Sequence, residues 1–191
     1  MISSAASLIG SRGLSGTSFS DVLADSGAPR GSIYHHFPGG KKQLAEDAIG
    51  WTSDQVLGHL DRCPAGRPAE VLDCFIDLWR QSVLASGASS GCPVAGVAIG
   101  AGEAAGDLIE PVREAFRSWT ARLASRLQEA GVPARRAGPI AVAALAGMEG
   151  ALILCRAEGS SQPLETIAAE LRRLLPPDAE PRATQPARGQ G

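Results

Sequence analysis

The segment from Thr17 to Leu44, TSFSDVLADSGAPRGSIYHHFPGGKKQL, constrains this chain most, because the residues between its two short amphipathic stretches force them into a tight turn. Thr17 or Ser18 offers a hydroxyl to cap a first helix. Phe19, Val22, Leu23 and Ser26 follow at i, i+3, i+4 and i+7, so the apolar members share one buried face while Asp21 and Asp25 turn outward. Gly27 supplies the left-handed conformation that closes this helix. Pro29, with φ already set and no N–H to satisfy, suits the start of the next. Arg30, Gly31 and Ser32 then fall in the first turn of the second helix, which Ile33 and Phe37 anchor to a core. The pattern is a helix-turn-helix, whose second helix presents its start to the major groove of duplex DNA.

The rest of the chain fits an all-α protein. Its 191 residues suit a small head joined to a larger helical body. Aromatic residues make up only 4%, Ala and Leu recur throughout, and alternating β-branched runs are nearly absent, so no sheet is expected. A formal charge of −2 does not advertise nucleic-acid binding. Residues 1–50 hold Arg12, Arg30, Lys41 and Lys42 against Asp21, Asp25, Glu46 and Asp47, so placement of charge carries the signal. Cys63, Cys74, Cys92 and Cys155 lie far apart, with no CxxC pair and no histidine cluster near them. Reduced thiols, with neither metal nor disulfide framework, are the expectation. No cationic stretch with an apolar core and cleavage site is recognisable, and every apolar run is broken well short of about 18 residues by Gly, Pro or charge, so a soluble cytoplasmic chain without a membrane partner is the expectation.

Ile2, Ala5, Ala6 and Ile9 predict a first short helix ending near Gly10 or Gly13, which completes a three-helix head over residues 1–48. After Pro38-Gly39-Gly40 a longer helix runs from about Lys41 to Leu60 and carries Leu44, Ala48 and Trp51 inward. The body, 49–176, continues with a helix on Val71, Leu72, Phe75, Ile76, Trp79 and Val83 that ends before Gly87. A loose apolar helix from Pro93 to Gly102 or Ala105 follows. A narrow stripe from Val112 through Phe116, Trp119, Leu123 and Leu127 to Ala130 stops at Gly131. From Pro133 to Glu158 the chain is apolar nearly all round, with Gly138-Pro139 placed to kink or restart the helix and Gly147 and Gly150 leaving room for a neighbour. A last helix spans about Leu164 to Leu175, which makes about nine in all. Residues 177–191, rich in Pro, Ala, Arg, Gln and Gly, are expected to form a disordered tail.

This order of helices, and the string GSIYHHFPGGKKQL above all, resembles the TetR family of transcriptional regulators over roughly Met1 to Ala48. The body is similar to the LmrA/YxaF-type subgroup through Ser90-Gly91-Cys92-Pro93-Val94-Ala95 and Met148-Glu149-Gly150-Ala151. The resemblance implies a homodimer paired through its last two helices. It further implies a near-palindromic double-stranded operator, and release by a small molecule, apolar or aromatic, that enters a pocket in the body. No cofactor is expected. The family usually carries a basic arm ahead of its first helix, whereas Met1 here stands almost at the helix start. Either the start lies upstream or a source of phosphate contacts is missing.

Arg30 is the candidate for base readout, a guanidinium at the groove-facing helix start being able to make a bidentate contact with guanine worth about 1–3 kcal/mol; a phosphate contact is the alternative. Tyr34, four residues on, resembles the family tyrosine whose hydroxyl holds a phosphate. Lys41 and Lys42 stand at a helix start, where the macrodipole disfavours cations unless an anion is near, and a DNA phosphate would be that anion. Thr17, Ser18, Pro29, Gly31, Ser32 and His35 complete the candidate DNA-binding set, with capping as the competing role for Thr17 and Ser18. In the body, Trp51, Phe75, Trp79, Phe116 and Trp119 come from three helices that could enclose a cavity for a planar ligand, opposite a loosely packed segment bearing Gly96, Gly100 and Gly102. By resemblance Cys92, Val94 and Met148 join them. Glu149, in an otherwise apolar helix, needs a partner if buried, and Arg156 or a ligand hydroxyl could serve.

Two other readings compete. Gly100-x-Gly102 with Gly106 mimics a dinucleotide loop and would suggest a nucleotide-cofactor enzyme. Yet the strand, the βαβ unit and the acidic residue about 20 positions on are missing, and the segment near Arg122 to Arg126 is helical. A helical dimerisation module without DNA binding would explain the body but leave Arg30, Tyr34 and the Lys pair unexplained.

Overall fold

Ser18 opens the helix-turn-helix with a reciprocal cap. Its hydroxyl accepts from the Asp21 amide at 3.1 Å, and its own amide donates to the Asp21 carboxylate at 2.8 Å. The Ser18 hydroxyl, which also donates to the Asp21 carboxylate, and the Ser18 amide hold the Asp21 carboxyl below its ordinary range. The helix so started, α2 (Phe19–Ser26), ends at Gly27, whose φ of 67° is left-handed as expected. Before it runs α1 (Ile2–Arg12), and after it α3 (Ser32–His36). In the computed structural model, which describes residues 1–64, 66–100 and 107–176, the body follows as α4 (Gly40–Arg62), α5 (Pro68–Ala85), α6 (Pro93–Ile99), α7 (Ile109–Glu129), α8 (Ala134–Glu158) and α9 (Gln162–Arg173). The described residues thus contain nine helices and no strand. The expected tail at 177–191, and Gly102 and Gly106, lie outside them.

Several boundaries differ from the sequence expectation for identifiable reasons. Arg30 and Gly31 precede α3 rather than opening it, because the Pro29 carbonyl is already bonded to both the amide and the hydroxyl of Ser32, at 3.0 and 2.7 Å. Pro139 neither breaks nor restarts α8. Its neighbour Gly138 has no Cβ to clash with the proline ring, so that position stays helical. Trp51 does not point inward and is 39% exposed, since the buried arc of α4 is set by Ala45, Ala48, Ile49, Val56 and Leu60 and passes it by. α8 is long and apolar enough by length and composition to cross a bilayer. It packs against α7 and α9 and carries Glu149.

The reduced-thiol expectation is corrected as well. Cys63, which ends α4, and Cys74 on α5 are bonded as a disulfide with Cα atoms 5.8 Å apart. Cys92 and Cys155 are free and buried. Salt bridges lace the outer surface: Arg80 forks onto Glu165 at 2.6 and 2.9 Å, and Arg172 meets Asp73 at 2.6 Å, so that α9 is tied to α5 at two points.

The head meets the body through bare backbone. A Cβ built on Gly91 would lie 2.2 Å from the Gly10 carbonyl oxygen, one on Gly10 would lie 2.2 Å from the Gly91 oxygen, and one on Gly96 would lie 2.6 Å from the Ile9 oxygen. The glycine-rich segment expected to pack loosely is therefore, at Gly91 and Gly96, the tightest joint described, and it fastens α1 to the start of α6. Gly91→Ala should lower stability by about 1–3 kcal/mol through forced backbone displacement. Gly50→Ala, in mid-α4 with no atom within 4 Å of the added Cβ, should raise it by roughly 0.5–1 kcal/mol. Urea titrations of the two variants check both signs.

Candidate DNA interface and effector cavity

The helix-turn-helix presents a short exposed face. Arg30, Gly31, Tyr34 and His35 are all exposed, and Arg30 has no ion-pair partner among the described residues. Tyr34 is 70% exposed, yet its ring meets Phe19 edge-on with centroids 5.8 Å apart, so α2 steadies the ring while its hydroxyl end faces outward. Beneath this face Ile33 and Phe37 are buried as expected. Other candidates are already engaged. Thr17 is buried, and its hydroxyl donates to the Gly13 carbonyl at 3.0 Å. Ser18 is occupied with Asp21, and Ser32 with Pro29. Lys41 reaches the Ser15 carbonyl only at 3.5 Å. Lys42 pairs with Asp107 at 2.7 Å, a hydrogen bond that raises its pKa and answers the helix-start charge without DNA.

In the body the five rings part company. Phe75 and Trp79 meet edge-on at 6.2 Å, Phe116 and Trp119 edge-on at 5.5 Å, and Trp79 and Trp119 at a tilt with centroids 6.3 Å apart, so four of them form one packed cluster. Trp119 Nε1 donates to Ser53 Oγ at 3.1 Å. Trp79 Nε1 is buried with no acceptor among the described residues. Val94 and Met148 are fully buried. None of these lines the larger described cavity.

That cavity, about 510 Å³, opens between the end of α1, the start of α6 and the last half of α8. Gly10 to Ser15 form one wall, Gly91, Cys92 and Gly96 a second, and Glu149, Gly150 and Arg156 a third. Trp51 lines a smaller neighbour of about 310 Å³, which shares Ser11, Ser90 and Gly91 with the first. Cys92 caps α6, its sulfur accepting from the Ala95 amide at 3.5 Å. Burial first, and the adjacent Glu149 second, push its thiol well above the usual range. Burial likewise raises Glu149 to about 7, against a smaller downward pull from the Cys92 thiol. Glu149 Oε1 and Ser90 Oγ are buried without a hydrogen-bond partner among the described residues. Arg156 shares the cavity but makes no ion pair with Glu149. The cavity thus offers an apolar bed with two unanswered oxygens, and near neutral pH the carboxyl can either donate or accept. The signal in the sequence was Gly rather than aromatic: space opens where side chains are missing.

Comparison with known proteins agrees with this organisation. Residues 1–48 match the family model of bacterial regulatory proteins of the tetR family, and residues 68–170 match that of the C-terminal domain of LmrA/YxaF-like transcriptional regulators. The chain is 39% identical over 180 residues to an uncharacterized HTH-type transcriptional regulator of Mycobacterium tuberculosis, with 92% of each chain covered. To the HTH-type transcriptional regulator LmrA of Bacillus subtilis it is 29% identical over 177 residues, covering 92% of this chain and 94% of that one. In structure it is similar to regulatory protein TetR from Rhodobacter sphaeroides, with a TM-score of 0.80 at 22% identity over 91% of this chain and 96% of that one.

Glu149 gives the cavity a pH signature. The folded chain holds this proton more tightly than the unfolded one, so the stabilisation is complete below about 4.5 and is lost as pH rises through about 7. At about 1.4 kcal/mol per pH unit of displacement, the loss is bounded at roughly 3 kcal/mol. Urea midpoints measured from about pH 5 to about pH 8 should fall for the wild type and stay nearly level for Glu149→Gln. Parallel curves for the two proteins would show that Glu149 is not the group titrating.

Proposed function

This chain belongs to the TetR family of bacterial transcriptional regulators, with an LmrA/YxaF-like body, and from that membership we propose that it is a cytoplasmic homodimeric repressor whose apolar, planar effector enters the cavity between α1, α6 and α8. Residues 1–48 are the DNA-binding unit in this reading, and 49–176 the effector-binding and dimerisation unit. The observation that carries it is the make-up of the cavity wall, which takes Gly10 to Ser15 from the head and the remainder from the body. A ligand shifts an equilibrium only by binding one arrangement better than another. Occupation of a space walled by both units makes its affinity depend on their relative placement, which is the dependence induction requires.

On the DNA side, the exposed Arg30, with no ion pair among the described residues, supports the base-readout role, and the exposed Tyr34, steadied by Phe19, supports the phosphate role. Lys41 is the better phosphate candidate of the two lysines, Lys42 being held by Asp107. The dimer reading rests on α8. Although α7 and α9 both pack on it, Val142, Ala146, Gly150 and Ile153 form an exposed stripe at i, i+4, i+8 and i+11, with Val142 57% and Ile153 61% exposed. The small residues in that stripe permit close approach of a second α8. Gly150 and Ile153 also line the cavity, so a partner seated there would close its mouth. A second effector site among Trp79, Phe116 and Trp119 is favoured by one observation, the buried Trp79 N–H without an acceptor.

Titration of neutral planar aromatics, followed by intrinsic Trp fluorescence with and without bound DNA, tests the effector reading. Ligand and DNA should each weaken the other by the same factor, for a coupling of about 1–3 kcal/mol. Glu149→Gln should reduce ligand affinity while Trp119→Ala leaves it; the opposite pattern would move the site to the ring cluster. Equal ligand affinity with and without DNA would exclude induction.

For the interface, Arg30→Ala should relax the consensus selected from random duplexes, whereas Tyr34→Phe should weaken all duplexes alike. An unchanged consensus with Arg30→Ala would remove Arg30 from base readout. Sedimentation at low micromolar concentration should show two chains for the wild type and one for Ile153→Arg, which places a charge at the C-terminal end of the stripe. A wild-type monomer there would end the dimer reading.

A further inference from the structure

His59 and Cys63 stand four residues apart at the C-terminal end of α4, so they project from one face. The short connection to α5 folds that helix back beside α4 and brings Cys74 to the same point. The ligand-type atoms of the three residues all lie within 4.8 Å of one another. His59 Nε2 is 3.5 Å from Cys74 Sγ and 2.7 Å from the Cys74 carbonyl oxygen. Cys63 is buried, while His59 and Cys74 are half-buried, so the cluster is shielded on one side and reachable on the other. Arg126, whose guanidinium donates to the Cys63 carbonyl, is paired with Glu129 and does not leave an unopposed cation at the site.

Two sulfurs joined to each other hold no metal. As separate thiols they are soft donors, and with an imidazole they make the set that a zinc-class cation takes. We propose that, when Cys63 and Cys74 are reduced, His59, Cys63 and Cys74 bind one such divalent cation per chain, and that the disulfide is the closed form of the same site. The distances suit it. Tetrahedral bonds of about 2.3 Å to sulfur and about 2.0 Å to nitrogen set these donors roughly 3.5–3.8 Å apart. The His59–Cys74 pair already meets that spacing at 3.5 Å, and parting the sulfurs lets Cys63 meet it too. The conversion balances. Two equivalents of a small-molecule thiol reduce the disulfide, leaving two protein thiols and one small-molecule disulfide. The cation then displaces both thiol protons, and the neutral imidazole, shifted to its Nδ1–H tautomer so that Nε2 gives up its hydrogen bond to the Cys74 carbonyl, offers the Nε2 lone pair, with solvent in the fourth position. In a reducing compartment the thiol form is the one present. The site is independent of the operator and of the effector cavity.

Full-length protein, reduced with a phosphine and desalted without oxygen, is titrated with cobalt(II). One equivalent per chain should produce near-ultraviolet thiolate-to-cobalt absorption and the visible bands of a tetrahedral ion, both removed by zinc(II) and both absent from the oxidised protein. Cys155→Ala should keep the spectrum, whereas Cys74→Ser and His59→Gln should each weaken cobalt binding roughly tenfold or more, with far-ultraviolet dichroism showing that both remain helical. On the unmutated reduced protein, zinc(II) should slow alkylation of Cys74. Lack of the thiolate band in the reduced wild type, unchanged affinity in either variant, or an unchanged alkylation rate would each overturn the site.

Discussion

The contact between α1 and the start of α6 is the joint on which the rest of this architecture depends. At Gly10, Gly91 and Gly96 no side chain separates the two helices, and backbone oxygens occupy the positions a Cβ would take. Packed side chains can slide by changing rotamer, whereas a backbone-to-backbone contact of this kind has no such freedom. Movement of α6 is therefore movement of α1. Since α1 also packs along α4 and against α2, the placement of the reading face follows from the placement of α6. Cys92 caps α6 on one side of the cavity and Glu149 of α8 faces it from the other, so the joint and the cavity are two aspects of one arrangement.

What was legible in the sequence was whatever has a period or a fixed backbone demand. Phe19 and Val22 repeat at helical spacing, and Gly27 sits where a left-handed residue is needed; both are found as expected. The Val71 to Val83 stripe likewise becomes the buried face of α5, and Val112, Trp119, Leu123 and Leu127 are buried on α7, while Phe116 and Ala130 stay half-buried. Pro139 does not restart the helix because its effect depends on the residue before it, and Gly138 removes the clash. Trp51 was misread because helix periodicity locates an apolar arc but not its edge, and α4 turns a different arc toward α1 and α7.

Pairings across the chain were not legible at all. Gly10 and Gly91 have no side-chain pattern that could announce each other, and the same absence of side chains suggested looseness when it produced the closest approach. Cys63 and Cys74 are separated by a loop whose reversal is a tertiary fact. With that reversal known, the His59-x3-Cys63 spacing becomes meaningful, since one helical turn aligns both residues toward the partner that α5 delivers. The aromatic residues are the converse case. Rings close on one another by edge-to-face and tilted contacts and fill space, so Phe75, Trp79, Phe116 and Trp119 pack as one cluster, and the larger described cavity lies where glycines adjoin the buried carboxyl of Glu149.

α8 then unites the body's separate requirements in one helix. At Gly147 it admits Ile167 of α9, which a Cβ would meet at 3.0 Å, so its inner side is closed. Three residues on, Gly150 meets nothing within 4 Å and belongs to both the exposed stripe and the cavity wall. A helix apolar on every side is costly to expose in water, and a second chain on the stripe would relieve that cost while shutting the cavity that Glu149 lines. Under the proposed mechanism, dimerisation therefore does more than double the number of reading faces: it encloses the effector site, and it does so on the helix that faces α6, one contact away from the joint that sets the head.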